Sequence, residues 1–93
     1  MRRKARVDDN QAEIVKALRK IAGVSVAVTS QLGKGFPDLV VSRNGVNYLV
    51  ELKDGNKPKH QQKLTEDEKE FHESWTGQIT VCSSLDDIIK LLN

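Results

Sequence analysis

At 93 residues the chain is sized for one domain with a modest core, which argues against a large multi-step catalytic centre. Hydrophobic residues make up 38% and charged residues 30%; no apolar run is long enough to span a bilayer or to act as a secretory signal, so the sequence reads as a soluble, cytoplasmic protein. The formal charge is a mild +2, and Cys82 is the single cysteine, which excludes an internal disulfide and a cysteine-based zinc site.

Residues 1–7 form a basic arm carrying Arg2, Arg3, Lys4 and Arg6, ahead of a single domain over residues 8–93. Asp8, Asp9 or Asn10 is placed to cap a first helix running to about Ala22. Ile14, Val15, Leu18, Ile21 and Ala22 lie on its apolar stripe, and Gly23 is the stop. Val24 to Thr29 is rich in β-branched residues and reads as a strand. The next eight residues, through Pro37, contain two glycines and a proline and form a loop. Asp38 to Ser42 and Val46 to Lys53 are then two strands of a hairpin that turns at Asn44-Gly45.

Asp54 to Pro58 opens a polar connection in which no core element is expected, and Lys57, Lys59, His60 and Lys63 make it the second basic segment. Thr65 caps a second helix, with Glu68 at the third position of a capping box. Phe71 and Trp75 give that helix its apolar face and Gly77 ends it. Glu66, Asp67, Glu68, Glu70 and Glu73 make the helix acidic, so a net charge near zero conceals basic patches elsewhere that suit a polyphosphate partner. A last strand, about Gln78 to Cys82, buries Cys82 as a small hydrophobe. Ser83 or Ser84 then caps a short helix with Leu85, Ile88, Ile89 and Leu92 inward. The expected class is α/β, in the order α-β-β-β-α-β-α, without internal repeats.

A two-residue loop at Asn44-Gly45 pairs Arg43 with Val46 and, counting back, sets Asp38 opposite Glu51. One hairpin face then carries Asp38, Val40, Ser42, Asn47, Leu49, Glu51 and Lys53, while Leu39, Val41, Val46, Tyr48, Val50 and Leu52 make the other more continuously apolar. Opposed carboxylates destabilise a sheet unless a positive charge lies between them. Two readings meet that need: a surface ion pair of Lys53 with either acid, or a divalent cation. Two carboxylates with a lysine beside them suit metal-assisted phosphodiester hydrolysis. The acids would hold Mg²⁺ or Mn²⁺, the Leu52 carbonyl is a further oxygen donor, and Lys53 would stabilise developing charge or position the attacking water.

Gly35-Phe36-Pro37-Asp38, followed thirteen residues after the aspartate by Glu51-Leu52-Lys53, resembles the PD-(D/E)XK nuclease signature. The chain is most similar to the stand-alone virus-type replication-repair nuclease (VRR-NUC) domains of that superfamily. The resemblance covers roughly residues 8 to 89 and implies an αβββαβ core with a short C-terminal helix, built on a mixed central sheet flanked by helices. It implies Asp38 and Glu51 as metal ligands, Lys53 as the catalytic lysine, and Mg²⁺ or Mn²⁺ as cofactor. Glu13 falls where many members place another acidic ligand, although after Asn10 it equally suits a capping box. Many members carry a glutamine where this chain has Glu68, and Gln61 and Gln62 lie nearby.

The implied activity is a structure-selective DNA endonuclease that cuts branched DNA such as four-way junctions, acting as a homodimer in a bacterial or phage-infected cell. Arg2, Arg3, Lys4, Arg6, Lys34, Lys57, Lys59 and Lys63 would hold DNA phosphates, and Gln31 could reach the scissile one. His60 and His72 read as surface histidines, and Trp75 as a core residue rather than a base-stacking one. The alternative from another class is a nucleic-acid-binding or assembly module that keeps the fold without turnover.

Overall fold

A computed structural model describes residues 9–93; Asp8 and the arm residues Arg2, Arg3, Lys4 and Arg6 lie outside the described residues. Asn44 and Gly45 both take positive φ, 54° and 80°, as a type I′ hairpin loop requires. That turn fixes the register. Strand β2, Leu39–Arg43, runs antiparallel to β3, Val46–Leu52, with Arg43 opposite Val46 and Leu39 opposite Val50. Strand β1, Val24–Val28, pairs antiparallel with β2, and β4, Ile79–Cys82, pairs parallel with β3. The result is a mixed four-stranded sheet in the order β1-β2-β3-β4.

Among the described residues, three α-helices complete an α/β fold in the expected element order: α1 at Gln11–Arg19, α2 at Glu66–Ser74 and α3 at Leu85–Leu92. Helix α1 ends three residues before Ala22, because the backbone of Lys20 and Ile21 turns back onto the Ala17 and Leu18 carbonyls and Gly23 takes φ 80°. Ala22 is exposed and leaves the apolar stripe. In α3, Ser84 is the cap, accepting from Asp87 N while Asp87 Oδ2 accepts from Ser83 N. Leu91, rather than Ile89, joins Leu85 against the core.

The apolar hairpin face predicted from alternation is the core face. Leu39, Val41, Val50 and Leu52 are completely buried beneath Ile14, Val15 and Leu18 of α1 and Ile88 and Leu92 of α3, with Cys82 beside them. Val46 is the exception, exposed at the hairpin tip. Burial pushes the Cys82 thiol up to about 11, with Asp87 adding to the rise, so it is a packing residue as expected.

Helix α2 buries no residue and lies by the opposite sheet face, at the end where Lys53 meets Glu68. It stops at Ser74, before Gly77, because Trp75 is already extended at φ −75°, ψ 124°. Trp75 is not a core residue. It stays 43% exposed and stacks on Phe71 at 5.1 Å, and Phe71 meets Phe36 edge-on at 5.3 Å.

Strand β1 is an outer strand. Thr29 N donates to Asp38 O, so by alternation the Val24, Val26 and Val28 backbone groups point away from β2. The Val24 N–H finds Ile21 O, and Arg19 Nη2 donates to Val26 O at 3.0 Å.

Candidate active site

The hairpin register carries one residue beyond its last ladder pair, which sets Asp38 against Glu51 where the two strands open. Both sides of Asp38 are fixed. Its carbonyl accepts from Thr29 N at 2.8 Å, Thr29 Oγ1 donates to Pro37 O at 2.7 Å, and its Oδ2 accepts from Leu52 N at 2.8 Å. The aspartate side chain therefore caps the strand that carries Glu51. One of its oxygens is committed to that amide.

Glu51 is 2% exposed, and its Oε1 accepts no hydrogen bond. Burial, then the adjoining Asp38 carboxyl, push Glu51 up to about 10; Glu68 adds to the rise and Lys53 only partly offsets it. Lys53 Nζ lies 3.9 Å from Glu51 Oε2 but 2.8 Å from Glu68 Oε1. The lysine is thus engaged more closely by α2 than by the acid on its own strand. Burial opposes ionisation of Glu68, yet hydrogen bonds from Lys53 and the Thr65 backbone hold its carboxyl below the ordinary value.

Sequence locates Glu68 as a capping residue, and it is one: Thr65 Oγ1 accepts from Glu68 N at 3.2 Å while Glu68 Oε1 accepts from Thr65 N at 2.9 Å. Its second contact, on Lys53, is what the sequence does not announce. Gly35 makes the approach possible. At φ 81° it lies so close to the Asp67 carbonyl and Glu68 nitrogen that a Cβ would overlap them. The loop delivering Asp38 is thereby packed on the first turn of α2.

Asp38, Glu51, Lys53 and Glu68 line an open depression of about 360 Å³, and Lys57, His60, Gln61 and Lys63 line it from the connection after β3. That connection is more ordered than its composition suggests. Asp54 is buried and accepts from Asn56 N at 2.9 Å, Gln62 Nε2 donates to Lys57 O at 2.7 Å, and Lys59–Gln61 forms a 3₁₀ turn. Lys57 pairs with Asp9 at 3.0 Å. His60, exposed as expected, and Gln61 share the depression with the two acids. His72 is half-buried rather than a surface residue, with Nε2 unpartnered. Desolvation holds its pKa below the ordinary value, Lys53 adding to the fall and Glu68 only partly offsetting it. Its position four residues after Glu68, on one helix face, is the signal that could have found it.

Other expected members lie apart. Glu13 is exposed and lines a neighbouring depression with Asp54 and Ser84; Asn10, at the α1 cap position, makes no side-chain cap bond, so the alternative of a capping box with Glu13 does not form. Lys34 lines a third depression among Asp67, Glu70 and Glu73 of α2. Lys59 and Gln31 are exposed.

Among the described residues, no group of three or more His, Cys, Asp or Glu side chains is placed to hold a metal ion by itself. Mg²⁺ does not require one, since it binds through one or two carboxylates and completes its shell with water and substrate phosphate. The Asp38–Glu51 pair fits that mode: two carboxyls are pressed together, and a buried acceptor oxygen lacks a donor. No helix among the described residues is long and apolar enough to cross a membrane. Compared with known proteins, the chain matches no family model, no curated protein and no solved structure.

Proposed function

We propose that the chain is a metal-dependent DNA endonuclease of the PD-(D/E)XK type, similar to the stand-alone VRR-NUC domains. The observation that carries this reading is Glu51: a buried carboxyl with an unpartnered oxygen, set against Asp38 and within 3.9 Å of Lys53. A packed sheet would gain stability by replacing so buried a carboxyl, and its presence fits a site that receives a cation. Asp38 and Glu51 would hold Mg²⁺ or Mn²⁺, with the Leu52 carbonyl as a further donor. Such an ion acidifies water and offsets charge on the phosphoryl oxygens.

Lys53 brings a second positive charge to the same place, where it neutralises the scissile phosphate or orients the attacking water. Lys57, His60 and Lys63 present cationic or hydrogen-bonding groups around the depression, where flanking phosphates would sit. Nothing in so small a domain resembles a base-reading module, which favours selection by DNA shape. A four-way junction offers two symmetric strands to a homodimer with two such sites.

The test incubates the protein with linear, flap and four-way-junction DNA in Mg²⁺, Mn²⁺ or EDTA. Cutting is expected only with metal, to prefer branched DNA, and to vanish in Asp38→Asn and Lys53→Ala. Cutting that survives EDTA or either substitution overturns the mechanism. Binding with no cutting under any metal assigns the chain to the non-catalytic class.

A further inference from the structure

Two of the site's contacts have opposite consequences for a cation. A lysine lying on Glu51 would neutralise the carboxylate and occupy the place a metal must take. A lysine held away leaves that oxygen open. Here Lys53 Nζ is 2.8 Å from Glu68 Oε1 and only at the 3.9 Å limit of an ion pair with Glu51 Oε2, while the other Glu51 oxygen, Oε1, has no hydrogen-bond partner.

We infer that Glu68, in an assignment that rests on the nuclease reading above, is a positioning residue that holds the Lys53 ammonium off the Asp38–Glu51 pair and so keeps that pair open to a divalent cation. Three features support it. The Glu68 oxygen that takes Lys53 also takes Thr65 N at 2.9 Å, so the anchor is fixed to the helix start rather than swinging on a flexible side chain. The close packing of Gly35 on Asp67 and Glu68 fixes that helix start relative to the loop that carries Asp38. Finally, the Glu68 side chain is only 19% exposed, so water screens the Lys53 contact weakly and the carboxylate competes well with Glu51 for the ammonium.

Direct metal ligation by Glu68 is the competing role, and it fits less well. Glu68 Oε1 already serves two donors, and among the described residues no group of three or more His, Cys, Asp or Glu side chains is placed to hold an ion. A purely capping role leaves the 2.8 Å lysine contact without purpose.

Glu68→Gln separates these roles, because glutamine at the third position keeps the capping box while removing the charge. In a crystal structure of the metal-free Glu68→Gln protein, Lys53 Nζ is expected within about 3 Å of a Glu51 oxygen. Calorimetric titration of the full chain with Mn²⁺ is expected to show affinity reduced about tenfold, the scale of one charge-assisted contact. Most of that loss should disappear when the comparison is Lys53→Ala against Lys53→Ala/Glu68→Gln, where no ammonium remains to collapse. A lysine that stays at residue 68 overturns the inference. A loss of equal size in the Lys53→Ala background also overturns it, by making Glu68 a ligand. If the wild-type chain binds no Mn²⁺, the nuclease reading falls, and the lysine's position in the metal-free variant still decides whether Glu68 holds it.

Discussion

Glu51 shows how a single buried carboxyl can work against its fold. The folded protein holds its proton up to about pH 10, whereas an unfolded chain releases it near the ordinary 4.5. Between those values the folded state binds more protons, so this contribution to stability is complete below about pH 4.5 and is lost as pH rises toward 10. In EDTA, the melting temperature is therefore expected to fall as pH is raised from about 5 to about 9, and Glu51→Gln to flatten that fall. At neutral pH the same variant should be more stable by about 1–2 kcal/mol, measured by urea unfolding, while losing the proposed metal binding and cutting. A destabilised Glu51→Gln protein would mean that the carboxylate serves the fold.

The elements around the site divide by how local their instructions are. Thr65 and Glu68 write the start of α2 within four residues, and Thr65→Ala should cost about 1 kcal/mol in denaturant unfolding. Gly35 acts between elements. Gly35→Ala combines a left-handed backbone at φ 81° with overlap on α2, and is expected to cost about 3 kcal/mol and to impair cutting beyond the loss seen in Thr65→Ala. The hairpin register was legible for the same reason as the cap, since Asn44-Gly45 leaves little choice of turn. The contact of Glu68 with Lys53 was not legible, because it joins residues fifteen apart through the packing of a loop on a helix. The helix ends were misplaced where backbone geometry overrode composition, as at Lys20 and Trp75.

At the scale of the molecule, one face of the sheet packs the core and the other carries the proposed site. Leu18 is completely buried on the core side, and Leu18→Ala is expected to cost about 3 kcal/mol, measured by thermal or denaturant unfolding, with little change in cutting by the fraction that remains folded. Alternation made this division visible, since the apolar face of the hairpin is the one that packs under α1 and α3. Lys63 was expected beside the site, but the grouping of His60 and Gln61 with the acids was not visible. It depends on the ordered path of residues 54–65, whose composition signals only a polar loop.

The hydrogen bond from Arg19 to Val26 bears on how the protein behaves at high concentration. Strand β1 has no charged residue of its own, and an uncharged outer strand is a template onto which a second chain can add. A guanidinium from the neighbouring helix occupies one carbonyl of that template, so an incoming strand must displace it first. Arg19→Ala is accordingly expected to aggregate faster than wild type on mild heating, as followed by light scattering, without affecting the proposed site; aggregation equal to wild type would show that β1 is protected by other means.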